Sequence, residues 1–447
     1  MTAVTAPRAG RREWIALAVL ALPCLLVAMD LTVLNLAVPK LSADLQPSSS
    51  QLLWIVDIYG FLIAGSLITM GTLGDRIGRR RLLLFGAAAF GFASVLAAFS
   101  TSAEMLIATR ALLGVAGATL APSTLSLIRT MFQDPRQRTV AIGVWVTSFS
   151  VGGALGPLFG GVLLEFFWWG SVFLLAVPVM ALLLVLGPLL LPEYRDPQAG
   201  RLDLVSAALS LLSVLAVIYG LKQLAEHGLG WPPVLFILAG LAVGGVFVRR
   251  QQTLADPFVD LRLFRVPAFS ASLATNMLSF FVAFGAFLFI AQYLQLVRGL
   301  SPLEAGLWTV PSSGGFIVGS MLAPVFVRRV QPAYVVGAGL TLAAAGFGLL
   351  TQAGMDSLVV VVTASVVFSM GLAPVFTLAA DLVVGTAPPE RAGAAAALSE
   401  TSTEFGGALG IAILGSIGTA VYRGAMADTL PAGVPPETAA AARDTLG

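Results

Sequence analysis

The chain has 447 residues, 57% of them hydrophobic and only 11% charged, where a soluble domain carries about 25% charged residues. So few charges cannot clothe a water-soluble protein of this size. One cysteine (Cys24) and one histidine (His227) exclude a disulfide framework and argue against a Cys/His metal centre, and a net charge of +2 gives no nucleic-acid signal.

Long apolar runs recur from end to end, and a helix needs about 20 apolar residues to cross a bilayer core. Windows of that length predict thirteen spans, at 14–38, 51–72, 82–101, 104–128, 139–164, 168–191, 203–222, 232–249, 268–294, 303–327, 333–351, 357–384 and 393–421. The first is too long for the apolar part of a signal peptide. Barrel strands would be about 10 residues long and alternate in polarity. These runs do not alternate, so the expected class is an all-α membrane protein. With the N-terminus inside, the inner segments hold nineteen Lys and Arg, the outer segments five, and Arg110 lies within span 4. The positive-inside rule therefore predicts a cytoplasmic N-terminus. It also supports the count, because one missed helix would invert every later loop.

Span 1 carries Asp30-Leu-Thr32-Val-Leu-Asn35-Leu-Ala37-Val-Pro39. The loop after span 2 reads Gly71-Thr-Leu-Gly74-Asp75-Arg76-Ile-Gly78-Arg79-Arg80-Arg81. Its glycines permit a tight turn, and Asp75 can pair with an Arg and with the N-terminal dipole of a neighbouring helix. Taken alone, the arginine run reads equally well as a positive-inside anchor. Span 4 has Arg110-Ala-Leu-Leu-Gly114. Span 5 has Gly152-Gly-Ala-Leu-Gly156-Pro157-Leu-Phe-Gly160, which puts small residues four apart on one helical face beside a kink-favouring proline.

The loop resembles the signature of the major facilitator superfamily. That likeness implies that Gly71, Asp75, Arg76, Gly78 and Arg79 latch the two halves in the outward-open state. Span 1 is similar to the first helix of the family's drug:proton antiporters, particularly the 14-span branch. The Arg110 string is similar to the family's R-x-x-Q-G, with Leu113 where Gln is usual. Gly152, Gly156, Pro157 and Gly160 resemble its antiporter motif. The resemblance covers spans 1 to 6 through motifs and the remainder through layout. It implies a multidrug exporter of the type that handles quaternary ammonium compounds, dyes and fluoroquinolones.

Span 13 reads Glu404-Phe-Gly406-Gly407-Ala-Leu-Gly410, echoing span 5 at an offset of eight spans. The loop after span 10, Arg328-Arg329-Val-Gln331-Pro332, is a degenerate counterpart of the signature loop at the same offset. A 12-span facilitator has an offset of six. The expected fold is thus the major facilitator fold, two six-helix halves plus two inserted helices. The expected divisions are 1–191, spans 1 to 6; 192–250, linker and inserted spans; 251–421, spans 9 to 13; and 422–447, an outer loop leading to an absent fourteenth span.

Carboxylates in mid-membrane are functional candidates by default. They are Asp30, Asp57, Glu400 and Glu404, with Asp381 expected to be structural near an inner helix end. Asp30 and Asp57 are expected to share one water-filled region. Glu400 and Glu404 share a helical face, and like charges so close resist joint ionisation. The resemblance implies protonation at Asp30 and at the Glu400/Glu404 pair. Asp30 and Glu404, the glutamate expected nearest mid-span, are assigned the protons. Glu400 is assigned cation recognition, with Asp57 supporting either role. Arg110 needs a buried counter-charge. Asn35, Trp54, Tyr59, Trp145, Phe280, Phe284, Phe287 and Gln292 are the candidate cavity wall, since aromatic faces suit flat cations. Span 10 has no acid beyond Glu304 at its outer edge, so dications are expected to be poorer cargo than monocations.

The function these features predict is proton-coupled efflux of lipophilic cationic molecules by a monomer in the bacterial inner membrane. A proton gradient serves in place of a cofactor, since no G-x-x-x-x-G-K-[ST] string is present. A proton-coupled transporter of one metabolite on the same fold is the alternative. A membrane enzyme lacks a catalytic constellation.

Overall fold

A computed structural model describes residues 8–47, 49–195, 203–227, 230–254, 257–300, 302–355 and 357–429. Residues 196–202 of the expected linker and 430–447 of the expected outer loop lie outside that set, as do the side chains of Asn35 and Pro157. Every regular element among the described residues is helical. The first eight helices are α1 (Arg11–Leu45), α2 (Ser49–Ile77), α3 (Arg79–Ala98), α4 (Ala103–Gly117), α5 (Leu120–Met131), α6 (Pro135–Phe166), α7 (Ser171–Leu174) and α8 (Ala176–Leu190). Next come α9 (Leu204–His227) and α10 (Trp231–Thr253). The last five are α11 (Pro267–Gln292), α12 (Pro302–Phe326), α13 (Pro332–Leu350), α14 (Leu358–Thr386) and α15 (Ala392–Thr429).

Twelve stretches are long and apolar enough to cross a membrane. The thirteenth expected span is carried by α15, a helix of 38 residues. Spans 4 and 6 are each broken in two, α4 with α5 and α7 with α8. Each break lies four residues before a proline. Pro122 cannot donate to the Ala118 carbonyl and its ring crowds it; Pro178 acts likewise on Leu174. Two helices outrun the expected spans, because polar residues continue a helix into the interface. α1 runs through Lys40, Ser42 and Asp44 and ends at Gln46, which takes a left-handed φ of 44°. α15 runs on to Thr429, so 422–429 is helix rather than loop.

α1 packs chiefly on α6, and α11 on α15 and α14. Glycine makes both contacts possible. A Cβ on Gly152 would overlap the Leu25 carbonyl of α1, and one on Gly406 or Gly410 the Met277 or Phe281 carbonyl of α11. The repeated Gly-Gly-Ala-Leu-Gly string therefore makes the same backbone-to-backbone contact twice.

α9 and α10 pack on each other, and α9 also touches both α2 and α15. Asp203 pairs with Arg250 at 2.9 Å. Partial burial pushes the Asp203 carboxyl up, but hydrogen bonds from Ser206 and Arg250 outweigh it and hold it below the usual range. The tie therefore persists at neutral pH and weakens only as pH falls through that depressed value. Gln251 donates to Ser206 Oγ at 2.9 Å and accepts from Phe258 N at 2.7 Å. The Phe258 carbonyl in turn accepts from Thr72 on α2 at 3.2 Å.

Candidate functional site

Gly114 lets α4 lie directly on α2: a Cβ there would stand 2.6 Å from the Tyr59 carbonyl oxygen. Arg110, one turn earlier, is thereby pressed onto the α2 backbone with a side chain only 1% exposed. A guanidinium buried this way must satisfy its five N–H donors or cost several kcal/mol. Its Nη1 donates to Asp30 Oδ2 of α1 at 2.5 Å, its Nε to the Ile55 carbonyl at 3.0 Å and its Nη2 to that of Val56 at 3.4 Å. The Tyr59 ring lies 4.6 Å from its charged carbon, and the Phe173 ring 6.0 Å. The counter-charge of Arg110 is Asp30. Beside Asp30, between α1, α3, α7 and α8, is a cavity of about 20 Å³, room for one water.

Glu400 and Glu404 approach from α15. Glu400 acts electrostatically on Cys24 of α1, while Glu404 and Asp30 both act on Tyr59. Ionisable groups of helices from both ends of the chain thus gather around Tyr59 and Cys24. Burial reverses the order expected for the two glutamates: Glu400 is half-buried and Glu404 exposed. Glu400 lies within a largely enclosed run, Ala392 to Ala397, Ser399, Thr401 and Ser402, whereas Glu404 sits just beyond it.

Asn276 on α11 is 3% exposed. Its Nδ2 donates to the Ser399 carbonyl at 3.3 Å and to Ser402 Oγ and Thr403 Oγ1 at 3.0 Å each. This clamp fixes the rotation of α15 beside its glutamates. In the sequence Asn276 stands only as one polar residue of span 9. The available signal was three hydroxyl residues at i, i+3 and i+4 facing one amide in an apolar helix.

A second set of contacts closes one end of the bundle, the end bearing the arginine-rich loops. Asp75 accepts from the N–H groups of Gly393 and Ala394 at 3.0 Å each and from Arg79 Nε at 3.0 Å. The first turn of α15 is a natural anion site, with unpaired N–H donors and a positive dipole end. Arg79 also donates to the Pro389 carbonyl and, at 2.9 Å, to Thr130. A Cβ on Gly71 would stand 2.5 Å from the Gly393 carbonyl. Gly78 has φ +113°, a conformation that favours glycine, and turns the chain from α2 into α3. Arg76 lies 5.7 Å from the Phe258 ring.

The expected counterpart at Arg328 and Arg329 is instead exposed, because the partner role falls to α14. Asp381 accepts from Arg138 Nε at 2.6 Å and from Thr139 Oγ1 at 2.5 Å. Asp381 thus bonds α14 to the start of α6, where Asp134 caps the helix and Pro135 opens it.

Other expected site residues are dispersed. Tyr59 is fully buried under Arg110, and Trp145 is 3% exposed and donates to Thr124 at 3.0 Å. Asp57 is half-buried two residues from both Ile55 and Tyr59; residues at i and i+2 face apart, so it points away from the Asp30 cluster. Trp54 packs on Phe61, which packs on Tyr219 of α9, so it faces the inserted helices. The stripe on α11 splits, because neighbouring helices claim each ring. Phe280 lies 4.2 Å from Phe376 of α14, Phe287 lies 5.4 Å from Phe368, and Phe284 covers Gly407 of α15. Gln292 is half-buried at the end of α11. Gly152, Gly156 and Gly160 are buried on α6.

Residues 20–411 match the Major Facilitator Superfamily. The multidrug efflux pump LfrA of Mycolicibacterium smegmatis is 46% identical over 98% of this chain and 87% of its own length. The methyl viologen resistance protein SmvA of Salmonella typhimurium is 37% identical over 98% of this chain and 88% of its own. The tetracenomycin C resistance and export protein of Streptomyces glaucescens is 34% identical, covering 90% and 76%. Among solved structures, the human organic anion transporter MFSD10 (TETRAN) superposes with a TM-score of 0.66 at 18% identity over 91% of this chain and 93% of that one.

Proposed function

Because the chain belongs to the Major Facilitator Superfamily, we propose that it is a monomeric, proton-coupled exporter of lipophilic cationic drugs working by alternating access. It is a multi-pass membrane transporter and not an enzyme. The observation that carries the finer reading is the gathering of Asp30, Arg110 and Glu404 around Tyr59, with Glu400 beside Cys24. Carboxylates there serve as proton acceptors and as counter-charges for a cation. The nineteen-to-five split of Lys and Arg supports an arginine-rich end on the cytoplasmic side of a bacterial inner membrane. In that orientation the contacts of Asp75 and Asp381 close the inner end, an outward-facing state. The units of this cycle are 1–191 and 251–421, with the inserted pair between them.

Asp30 and Glu400, the more enclosed acids, carry the protons, and Glu404, open to solvent, meets the cation. This exchanges the expected roles of the glutamates, for the burial reason given above. Protons arriving from outside neutralise the acids and release the drug; deprotonation toward the cytoplasm restores its site. Each charge moved along the membrane potential supplies about 2.3 kcal/mol per 100 mV. Ethidium efflux from an expressing strain tests this reading. Efflux should collapse on adding a protonophore; efflux that persists unchanged without a gradient refutes the coupling.

The amide of Asn276 presents α15 to this chemistry. Asn276→Ala should cost only about 1 kcal/mol of stability, the scale of a hydrogen bond between membrane helices. It should nonetheless move the pH at which half the dye is bound, because Glu400 and Glu404 lose their set orientation. Dye binding titrated from pH 5 to 9 reads this; an unmoved midpoint assigns Asn276 to packing alone. A relative named for resistance to methyl viologen, a dication, makes the expected preference for monocations a pointed test. Matched mono- and dications should differ in efflux rate, and equal rates would remove that preference.

A further inference from the structure

At the arginine-rich end, between the start of α1 and the ends of α5 and α8, is an open cavity of about 590 Å³. That is within the roughly 300–1,000 Å³ of small-ligand sites. Arg8, Arg12 and Arg80 line it with Thr130 and Gln133, and Glu13 is the carboxylate on its wall. The Glu13 carboxylate accepts from the Gly10 N–H at 2.7 Å. Arg12 Nη2 donates to the Leu189 carbonyl at 2.6 Å, and Arg80 Nη1 to those of Pro188 and Leu191 at 3.3 and 3.1 Å. These are last-turn carbonyls of α8, the negative end of its dipole. Glu193 lies 3.6 Å from Arg80 and also faces Arg81. A guanidinium has five N–H donors, so Arg12 and Arg80 keep donors beyond those the carbonyls take. Arg8 is exposed and has no hydrogen-bond or ion-pair partner among the described residues. The cavity therefore keeps a positive excess and unspent donors.

Its flank is apolar. Ile15, one turn past Arg12, is 55% exposed, and Val185 and Leu189, one turn apart on α8, are each 64% exposed. These three continue toward the bilayer core from the level of the arginines. A ligand complementary to both parts carries a phosphate ester at one end and hydrocarbon at the other. We propose that this cavity holds the phosphodiester headgroup of an anionic phospholipid, with an acyl chain lying along Ile15, Val185 and Leu189. Arginine is suited to this because its planar fork grips phosphate oxygens in pairs. The bound lipid bridges α1 and α8. It also reaches Thr130, which accepts from Arg79, and so touches the closure made by Arg79 and Asp75. The site does not depend on what the protein transports.

The test uses the purified full chain in micelles of a non-ionic detergent. Native mass spectrometry and thermal unfolding are read with phosphatidylglycerol, with phosphatidylcholine of the same chain length, and with inorganic phosphate. Phosphatidylglycerol should be retained one-to-one and raise the unfolding midpoint by about 2 °C or more, by mass action on the folded state. Arg8→Gln should weaken that retention about tenfold, a change of 1.4 kcal/mol. Arg8→Lys should fall between the parent and Arg8→Gln, keeping the charge but not the paired grip, and Arg262→Gln, at another loop, should retain all of it. Arg8 holds no other group, so folding is not at stake in these variants. Equal protection by phosphatidylcholine, or retention indifferent to Arg8, would overturn the proposal. Arg8-dependent protection by inorganic phosphate alone would also overturn it, making the cavity a free-anion site.

Discussion

Asp75→Asn abolishes efflux while leaving the protein folded and inserted: this is the expected outcome at the arginine-rich end. The Asp75 carboxylate accepts two N–H bonds from the first turn of α15 and one from Arg79. Asparagine keeps the shape but offers one acceptor oxygen, and its NH₂ group faces N–H donors. Hydrogen bonds to a charged group contribute about 1.5–3 kcal/mol each. Losing the equivalent of two shifts the balance between closed and open ends by at least 100-fold, since 1.4 kcal/mol is a factor of ten. The rest of the molecule keeps its packing, so insertion and yield should be near normal. Efflux in everted vesicles and spin-label distances between α2 and α15 measure both halves of the claim. Normal transport with an unchanged distance distribution would remove Asp75 from the cycle.

Arg110→Ala should be the most destabilising single substitution in the first half, at about 3–5 kcal/mol. Truncation strands the Asp30 carboxylate beside a cavity of about 20 Å³ and removes the donor to two α2 carbonyls. Lysine should not rescue it, because a point charge cannot serve Asp30, Ile55 and Val56 together. The diagnostic variant is the double one, Asp30→Asn with Arg110→Ala. Removing both charges should recover part of the unfolding temperature lost by Arg110→Ala alone. A double variant as unstable as the sum of its parts would show that the two residues act independently.

Much of this architecture can be read in the sequence, for physical reasons that differ from site to site. The spans are legible because lipid demands about 20 apolar residues at a time. The pairing of Asp75 with Arg79 is legible because it is local, whereas for its contact across 318 residues only the chemistry, an anion seeking a helix start, is legible and not the partner. The Gly-Gly-Ala-Leu-Gly repeat announces close helix contact, although only the fold shows that its partners are Leu25 and Met277. Arg110 announces a need and not its answer. Asp30 lies 80 residues away, and any of several acids would have met the need. The two broken spans are readable from Pro122 and Pro178, each of which leaves the carbonyl four residues earlier without its helical donor. The order of Glu400 and Glu404 was not readable, because burial on α15 is set by α2, α5 and α11 rather than by distance along the span. The aromatic stripe on α11 failed for a related reason: helical spacing puts rings on one side, while two neighbouring helices, α14 and α15, decide where each ring ends up.

The position of α9 has a consequence for how cargo arrives. α9 touches α2 and α15 together, and so lies over one of the two long seams along which the halves of the molecule meet. Among the described residues neither inserted helix packs on the seam between α6 and α12, and there Ser320 reaches the Gly143 carbonyl directly at 3.1 Å. In the proposed alternating-access cycle, a gap would part toward the lipid on the α6/α12 side, while the α2/α15 side stays roofed. Amphiphiles dissolved in the membrane would then enter sideways through a single lateral door, and the added helix pair would act as its hinge-side wall.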